Sequence, residues 1–418
     1  MIENLQKYRF LRQYLPAPNS KRLVLITGAR QTGKTTLARK LYSTLNYINL
    51  DAPENREIVR EIPTAAWGRD IGAAIIDEAQ KEPVVFDKVK YAYDAGDITF
   101  QVLLGSSQIQ LIKRIRESLA GRVFIYELWP LMMNELLFSE DDDPKPPLVD
   151  RLFSDKSVTE IFKELPSLEL DEKYAKHKAA ENHLLRWGGM PALLPLNDAE
   201  RTKWLRDYEY TYLERDLADL ARLNDLIPFR KMQKLTALRS ANLLNFSELA
   251  RDASISVQTA RNYLQYLQIS YQVLLLQPYY RNLTSSVVKT PKVYWLDIGL
   301  LRTLTGFEGE ASGHIYETMV VGELFKWMRT CQKNAELFFY RTRSGLEADI
   351  LLQTPSGYLG MEIKAREQVF SSDTTALKKV AAALGEKWRG GLVVYRGKRI
   401  FHLSDPDIWA VPSWRLFT

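Results

Sequence analysis

Residues 28–35, Gly28-Ala29-Arg30-Gln31-Thr32-Gly33-Lys34-Thr35, decide the fold of the part of the chain around them. The apolar run Leu23-Val24-Leu25-Ile26 precedes this stretch, and the helix-like Thr36-Leu37-Ala38-Arg39-Lys40 follows it. A strand, a glycine-rich loop of this spacing and a helix form a P-loop, in which backbone N–H groups surround phosphate oxygens. The alternative is a chance glycine turn before a helix, but the complete spacing and both flanks favour a phosphate site. The sequence therefore predicts a site for ATP or GTP.

Two side chains of this loop have separate roles in such a site. Lys34 can reach the β- and γ-phosphates, and the Thr35 hydroxyl can be a ligand of Mg²⁺. The predicted nucleotide-binding residues are those of the loop and the one after it: Gly28, Ala29, Arg30, Gln31, Thr32, Gly33, Lys34, Thr35 and Thr36. We therefore expect a nucleoside triphosphate, ATP or GTP, and Mg²⁺ as the ligands.

Length and composition bound the kind of protein. The chain has 418 residues, enough for two or three domains, and 46% of them are hydrophobic, so it can bury substantial cores. No apolar run reaches the length of a bilayer span, and the amino terminus lacks a signal-peptide pattern, so we expect a cytoplasmic protein without a membrane segment. Cys331 is the single cysteine, which excludes an intrachain disulfide and a cysteine-based zinc site. The net charge of +6 indicates an anionic partner only weakly.

A second strand end supplies carboxylates to the same site. Asp77 and Glu78 follow the apolar run Ala73-Ala74-Ile75-Ile76, with Asp77 placed 43 residues after Lys34. This is a Walker B pattern, in which Asp77 would hold Mg²⁺ directly or through water and Glu78 would orient and deprotonate the attacking water. A strand ending in Asp-Glu can also be a surface turn, but the strand and helix patterns between the two motifs favour function.

Three further residues are weaker candidates for the nucleotide site. Ser106 follows the apolar run Phe100–Leu104, where a polar side chain can contact the γ-phosphate or the lytic water, although an ordinary Gly-Ser turn is an equal alternative. Asp51 ends another apolar stretch and either lies near the site or caps a turn. Arg122 precedes an apolar strand and could project into the nucleotide site of a neighbouring subunit as an arginine finger.

These motifs together resemble one group of prokaryotic AAA-type ATPases, in which a P-loop domain is fused to a C-terminal domain of uncharacterised function with a restriction-endonuclease-like core. The resemblance covers nearly the whole chain. Its stretches are residues 26–35, 75–80, 104–107, 119–122, 128–131 with Glu135, 188–191, 212–217, 291–300 and 347–349. It implies ATP rather than GTP as the nucleotide. It also implies a homo-oligomer, with a hexameric ring expected, because related ATPases present an arginine such as Arg122 in trans.

The middle of the chain divides into a linker, a helical lid and a small helical unit. Residues 139–147 are acidic and proline-rich, which predicts an exposed linker or insertion. Residues 158–220 are mostly helical in pattern, with a break at Gly188-Gly189-Met190-Pro191, and resemble an α-helical lid. We expect domains at 1–140 (ATPase), 141–225 (lid), 226–300 (winged helix) and 301–418 (restriction-endonuclease-like).

Residues 229–282 resemble a winged helix. The pattern predicts one helix over 229–241, a second over 248–253 capped by Ser247, and a third over 257–267 capped by Ser256. A strand over 272–277 and the polar residues 279–282 would complete the hairpin and wing. The third helix exposes residue types that can contact DNA bases and phosphates: Gln258, Thr259, Arg261, Asn262 and Gln265. A helix-turn-helix that serves only as protein scaffold is the alternative.

The C-terminal part contains a possible metal site. Asp349 is followed 13 positions later by Glu362, and Lys364 shares a strand face with Glu362 because residues two apart point the same way. The two carboxylates could bind Mg²⁺ and the lysine could help to position or activate water. The pattern resembles the PD-(D/E)xK nucleases, with Glu317 or Glu323 as a further acidic candidate, although Ala348 stands where proline is usual. The alternatives are a solvated strand face and a retained fold without cleavage.

The sequence thus predicts an α/β protein: a P-loop AAA-type ATPase domain with a helical lid, a winged helix and an α/β restriction-endonuclease-like C-terminal domain. The expected function is ATP-driven work on DNA. Branched or junction DNA is suggested only by the resemblance of the C-terminal core to junction resolvases. Two other readings stay open: a nucleotide-controlled signalling switch that binds a protein, and a metal-dependent nuclease gated by ATP.

Overall fold

Two β-sheets organise the part of the chain that the computed structural model describes. These residues are 6–106, 118–168, 172–221, 226–279 and 290–418, with the backbone alone at 106, 172 and 212–221. One sheet has five strands and the other has nine. None of the helices in these ranges is both long and apolar enough to cross a membrane.

The five-stranded sheet is parallel and carries the predicted P-loop. Its strands are β1 (Arg22–Gly28), β2 (Asn46–Asn49), β3 (Ala74–Asp77), β4 (Phe100–Ser106) and β5 (Val123–Glu127). They lie in the order β2-β3-β4-β1-β5, each parallel to its neighbour. Because crossover helices cover both faces of a parallel sheet, the inner strands read as nearly continuous apolar runs.

Short helices connect these strands and bury both faces of the sheet. They are α1 (Lys34–Leu41), α2 (Pro53–Glu61), α3 (Trp67–Asp70) and α4 (Val84–Ala95). Alternate residues of β1 belong to different apolar clusters, Leu25 to one and Ile26 to the other. The carboxyl ends of β1, β3 and β4 therefore meet at one edge, which is where ligands bind in open α/β sheets.

Helix α5 (Met133–Leu137) precedes the region predicted as a lid, and the described residues of that region form α6 (Val158–Phe162), α7 (Glu172–Trp187) and α8 (Asp198–Ala221). The predicted break falls after α7, where Gly188 has φ +76° and a Cβ on Gly189 would lie 2.2 Å from the carbonyl oxygen of Leu131. Short 3₁₀ turns lie along the whole chain at Phe10–Gln13, Thr64–Ala66, Ala79–Lys81, Leu148–Phe153, Pro191–Leu193, Ser371–Thr374 and Gly385–Lys387.

The next unit follows the order helix, strand, helix, helix, strand, strand. Its elements are α9 (Ile227–Leu238), β6 (Asn242–Leu243), α10 (Phe246–Ala253), α11 (Val257–Ile269), β7 (Val273–Pro278) and β8 (Lys292–Trp295), with α12 (Ile298–Thr305) after them. Ser256 caps α11 as predicted, accepting from the N–H of Thr259. The predicted Ser247 cap is wrong, because Asn245 accepts from the N–H groups of Ser247 and Glu248, so α10 begins earlier. Of the predicted wing, residues 280–282 lie outside the described ranges.

The C-terminal part adds helix α13 (Gly313–Thr330), helix α14 (Thr375–Leu384), helix α15 (Ser413–Phe417) and six strands. The strands are β9 (Glu336–Arg341), β10 (Glu347–Thr354), β11 (Gly357–Lys364), β12 (Trp388–Tyr395), β13 (Phe401–Ser404) and β14 (Ile408–Pro412). The hairpin of β10 and β11 is antiparallel, with Ile350 opposite Met361.

The nine-stranded sheet runs without a break across residue 300, where a domain boundary was predicted. Strand β7 pairs in parallel with β9, so that the order is β13-β14-β12-β11-β10-β9-β7-β8-β6. One apolar cluster also extends from Tyr8 through the lid to Phe417. The lid, the middle unit and the C-terminal part therefore share a core, whereas the five-stranded sheet has its own.

Candidate functional site

The backbone of residues 28–33 adopts a conformation that two glycines make possible. Gly28 has φ +147°, and a Cβ there would lie 2.1 Å from the carbonyl oxygen of Leu128, so this position has no room for a side chain. Gly33 has φ +95° and stands directly before α1. Gln31 is also left-handed, with φ +57°. The loop thus turns sharply between β1 and the amino end of α1, as a phosphate-binding loop requires.

The ammonium group of Lys34 spans this loop from the inside. Lys34 is buried, and its Nζ donates to the carbonyl oxygens of Gly28 at 3.0 Å and Ala29 at 2.8 Å. The Thr32 hydroxyl also donates to Ala29, at 2.8 Å. The predicted phosphate-binding lysine therefore lies within the concave side of the loop.

Thr35 and Asp77 converge at the end of the neighbouring strands. The Thr35 hydroxyl donates to Oδ2 of Asp77 at 2.6 Å, although 42 residues separate them. Tyr47 of β2 donates to the same oxygen at 2.8 Å, a contact that no motif predicted. A hydroxyl and a carboxylate at this spacing beside a phosphate loop are the oxygen ligands that Mg²⁺ prefers. These residues fit a magnesium ion shared with bound phosphates.

Glu78 follows Asp77 in a left-handed conformation, with φ +53°. Its N–H donates to Oδ1 of Asp77 at 2.9 Å, and its carboxylate accepts from the side-chain amide of Gln80. Burial raises the pKa of Glu78, while Arg30 and Lys34 of the loop act in the opposite direction. A carboxylate near the loop cations with a raised pKa is suited to accept a proton from water.

Residues outside the motifs hold the loop in place. Arg9 donates to the carbonyl oxygens of Thr32 at 2.8 Å and Trp129 at 2.5 Å, and its Nε lies 3.3 Å from the buried carboxylate of Glu135. Tyr208 of α8 donates to the carbonyl oxygen of Arg30 at 3.4 Å. Neither Arg9 nor Tyr208 stands in a recognisable pattern, so sequence reasoning missed both.

The three weaker candidates lie in different places. The backbone of Ser106 pairs with Gly28 at the carboxyl edge of the sheet, beside the P-loop. Asp51 forms an ion pair with Lys81 at the same edge. Arg122 lies at the opposite edge, since Val123 pairs with Leu23, and its guanidinium donates to Asp94 at 2.6 and 2.9 Å. Five residues of β1 separate the two edges of the sheet. At about 3.3 Å per residue, this is a distance of roughly 17 Å. Arg122 therefore does not reach the P-loop of its own chain.

The five residues predicted to contact DNA all lie on α11, where Gln265 is exposed. Gln258, Arg261 and Asn262 are exposed and Thr259 is half-buried. Gln258 donates to Asn262 at 3.0 Å, and the guanidinium of Arg261 lies over the ring of Phe246 at 4.3 Å. The opposite face of α11, with Ala260, Leu264 and Leu267, is buried in the core.

The structure also brings Asp349, Glu362 and Lys364 together on the β10–β11 hairpin. Lys364 donates to Glu362 at 2.5 Å, and Asp349 accepts from the backbone N–H of Ile363 at 2.7 Å. Burial, and then the nearby Glu317, raise the pKa of Asp349 to about 7. Burial, and then Asp349, raise the pKa of Glu362 to about 8. The carboxylates of Asp349 and Glu362 are thus buried close together, because the two residues lie opposite each other on the paired strands of the hairpin.

A lysine from the neighbouring unit enters this acidic cluster. Lys292 of β8 is buried, and its Nζ lies 3.0 Å from Glu317 and 3.9 Å from Asp349 and forms an ion pair with Glu347. Tyr294, two residues along the same strand face, donates to Glu317 at 2.7 Å. Burial alone would lower the pKa of Lys292, but the three carboxylates raise it above its ordinary value. A cation supplied by the chain therefore lies beside this cluster, paired mainly with Glu317 and Glu347.

Glu317 rather than Glu323 is the helix residue of this cluster. Glu323 accepts from the backbone N–H of Met133 at 2.6 Å and pairs with Lys326, which attaches α13 to α5. In the described parts of the chain, no group of three or more histidine, cysteine, aspartate or glutamate side chains is arranged to hold a metal ion. Metal binding by the pair Asp349 and Glu362 stays a prediction. Lys292, in the otherwise apolar strand 292–295, was the signal that could have indicated the ion pairs with Glu317 and Glu347.

Family models divide the chain into three matched regions. Residues 20–137 match the model described as "AAA domain". The chain contains an AAA-type P-loop ATPase domain. Residues 179–311 match "Domain of unknown function (DUF8612)" and residues 312–416 match "Domain of unknown function (DUF4143)".

Curated relatives extend over almost the whole chain. An uncharacterized protein of Mycobacterium bovis is 28% identical over 406 residues, which cover 95% of this chain and 81% of that protein. One of Mycobacterium tuberculosis has the same values. An uncharacterized protein of Methanocaldococcus jannaschii is 22% identical over 407 residues, covering 88% of this chain and 80% of that protein.

Two solved structures resemble this chain, with low TM-scores and low sequence identities. A Walker-type ATPase of Pyrococcus abyssi has a TM-score of 0.41 and 16% identity, covering 68% of this chain and 91% of that chain. A signal-transduction ATPase with numerous domains from Pyrococcus horikoshii has a TM-score of 0.24 and 14% identity, covering 75% of this chain and 45% of that chain. The assignment of the ATPase domain rests on the family match and on the geometry of residues 28–35 and 77–78.

Proposed function

We propose that this chain is an ATP-hydrolysing enzyme whose AAA-type domain works on DNA. The observation that carries the ATPase part is the 2.6 Å contact between Thr35 and Asp77 beside a P-loop that contains Lys34. In this arrangement the ammonium of Lys34 neutralises the terminal phosphate oxygens, and backbone N–H groups of residues 28–35 bind the others. Magnesium held by Thr35 and Asp77 would neutralise further phosphate charge.

Glu78 is the proposed general base for hydrolysis. It accepts a proton from a water molecule as the water oxygen attacks the terminal phosphorus and the bond to the bridging oxygen breaks. Burial supports this role because a carboxylate with a raised pKa is a stronger base. Gln80, which donates to Glu78, keeps the carboxylate at the edge of the site. Ser106 at the end of β4 is proposed to contact the terminal phosphate or the water.

The active unit is proposed to be a homo-oligomer, with a hexameric ring as the preferred form. Support comes from the position of Arg122 at the far edge of the sheet, from which it can serve only a neighbouring nucleotide site. In the single chain, Asp94 binds the guanidinium through two hydrogen bonds. Assembly would exchange this exposed ion pair for the phosphates of the neighbour.

DNA binding is proposed for the unit around α11, which we interpret as a winged helix from the order of its elements. The exposed face of α11 carries amide and guanidinium groups, which pair with base edges and phosphates. Arg261 is oriented by the ring of Phe246, so its guanidinium loses little freedom on binding. The ATP-gated nuclease is the weaker alternative, because the acidic cluster at Asp349 already holds the Lys292 cation.

The test is the rate of ATP hydrolysis by the full chain, alone and with single-stranded, duplex and four-way DNA at low salt. We expect DNA to raise the rate and rising salt to weaken binding, because phosphate contacts release counterions. Arg261→Glu should reduce DNA affinity for every sequence, whereas Arg69→Glu, at an exposed arginine that pairs with its neighbour Asp70, should not. If the protein with ATP binds no form of DNA, the signalling switch becomes the better proposal.

A further inference from the structure

A cavity in the lid region is lined by three arginines. It has a volume of about 390 Å³ and lies between the end of α7, the first half of α8, and α12 with the loop after it. Arg186, Arg206 and Arg302 line it together with Trp187, Thr202 and Thr303. Small-molecule sites in proteins commonly occupy about 300–1,000 Å³. We call this cavity the arginine pocket.

Arg302 and Arg186 are held in this pocket by backbone carbonyls and an aromatic ring as well as by an acidic partner. Arg302 donates through Nε to the carbonyl oxygen of Leu185 at 2.6 Å and through Nη1 to that of Gly309 at 2.9 Å. The guanidinium of Arg186 lies over the Trp187 ring at 4.8 Å and 2.8 Å from Asp198. Arg186 and Arg302 line the same cavity, and burial, and then the charge of Arg186, lower the pKa of Arg302. An anion between them would relieve the repulsion between the two positive charges.

The charge and hydrogen-bonding groups of the pocket define the ligand. The lining has three guanidinium groups against Glu308, and Asp198 is shared between Arg186 and Arg201, so the surface keeps an excess of positive charge. Guanidinium groups match phosphate oxygens with two parallel N–H donors. The hydroxyls of Thr202 and Thr303 each donate to a carbonyl of the preceding helical turn at 2.9 Å, so toward a ligand they act as acceptors. The ligand therefore combines phosphate with N–H or O–H donors.

We propose that the arginine pocket is a second nucleotide-binding site, which takes the phosphate of a nucleotide on Arg186 and Arg206 and its donor groups on the threonines and Glu308. The nucleotide is either free or part of a nucleic-acid strand. This site is separate from the P-loop and from the exposed face of α11. It assigns a ligand to the region matched by the model of unknown function over residues 179–311.

The experiment uses the full chain with Lys34→Ala, which weakens binding at the P-loop. Calorimetric titrations with inorganic phosphate, ADP and a ten-nucleotide single strand are compared. Arg186→Ala and Arg206→Ala, both at exposed side chains, should each weaken binding of the nucleotide form about tenfold, which corresponds to about 1.4 kcal/mol. Arg69→Ala is the matched control and should bind like its parent. Thermal unfolding checks that each variant is folded.

The results distinguish a free nucleotide from a nucleic-acid strand, and this pocket from the DNA-binding face proposed on α11. ADP binding that depends on Arg206 identifies a free nucleotide, and strand binding without ADP binding identifies nucleic acid. Arg261→Glu should leave ADP binding unchanged, so a failure of DNA binding at α11 is distinguishable from a failure here. The proposal is overturned if neither ADP nor the strand shows a loss with Arg186→Ala and Arg206→Ala, or if inorganic phosphate binds as tightly as both.

Discussion

The two carboxylate sites of this molecule are both predicted from the sequence to bind Mg²⁺, and they differ in how their charge is balanced. At the ATPase site, Asp77 receives hydrogen bonds from two hydroxyl groups, of Thr35 and Tyr47, which are neutral. In the C-terminal cluster, Asp349 lies beside the ammonium of Lys292, and Glu362 bonds to that of Lys364. We propose that metal and phosphate from outside the chain complete the first site. In the second, lysines of the chain already pair with the carboxylates, so the two sites lead to different expectations.

Removing the proposed base tests the first side of this comparison and should have the largest effect. Glu78→Gln should lower ATP turnover by about 10²- to 10⁴-fold, since it removes the proton acceptor and preserves the shape. Nucleotide affinity should stay within a few-fold of the wild type. Turnover by phosphate release and affinity by titration are the measurements. Glu57→Gln, at an exposed glutamate of α2, is the control, and undiminished turnover in Glu78→Gln would rule out the assignment.

Substitution of Lys292 tests the account of the C-terminal carboxylate cluster. Lys292→Met should lower the free energy of unfolding by about 3–5 kcal/mol at pH 7, because it leaves buried carboxylates without their partner. The raised pKa of Lys292 means that its stabilisation is present throughout the neutral range and is lost only as pH rises above the ordinary lysine value. Acid should therefore partly restore the variant, since protonation removes the carboxylate charge.

Denaturant unfolding of Lys292→Met at pH 5 and pH 8 measures this effect, with Lys379→Met, an exposed lysine of α14, as the control. A variant that is as stable as the wild type at both values would show that the cluster does not depend on the lysine. Recovery of stability by Mg²⁺ instead of acid would show that a metal can take the place of the ammonium group.

Arg122→Ala should lower turnover by at least about tenfold, because a finger in trans stabilises charge in the transition state. Nucleotide affinity should be nearly unchanged. This result would sharpen the contrast, since the ATPase site would then need a group from another chain and the C-terminal cluster would not. Mixing Arg122→Ala with Glu78→Gln protein and recovering activity would demonstrate the shared site. Full turnover by wild-type protein that is monomeric at high dilution would exclude it.

The pH dependence of stability should show the smallest effect. The pKa of Asp349 is raised to about 7, so from about pH 4 to pH 7 the native state keeps a proton that the unfolded state has lost, and stability falls over this range and is level above it. Asp349→Asn should flatten this decline and be more stable than the wild type at pH 8, by roughly 1–2 kcal/mol. Chemical unfolding from pH 4 to pH 8 measures the difference, and parallel curves for the two proteins would contradict the raised pKa.

The sites built from residues close together in the sequence could be predicted from it. The contacts that long-range packing makes between distant segments could not. The P-loop and the strand ending at Asp77 depend on local spacing, so their meeting follows from the rules of parallel sheets. The contact of Arg9 with Thr32 and the entry of Lys292 into the cluster of Asp349 join distant segments. No local pattern encodes such pairs. The domain boundary expected at residue 300 is a further example. The nine-stranded sheet crosses it through the pairing of Gln277 with Phe338, which no local pattern predicts.

Counting bound Mn²⁺ ions by electron paramagnetic resonance tests the central contrast most directly. In the presence of ADP, the wild-type chain should bind one ion. Asp77→Asn should lose that ion, and Asp349→Asn should retain it, because Lys292 and not a metal balances the C-terminal carboxylates. Binding of an ion that survives Asp77→Asn and disappears in Asp349→Asn would contradict this.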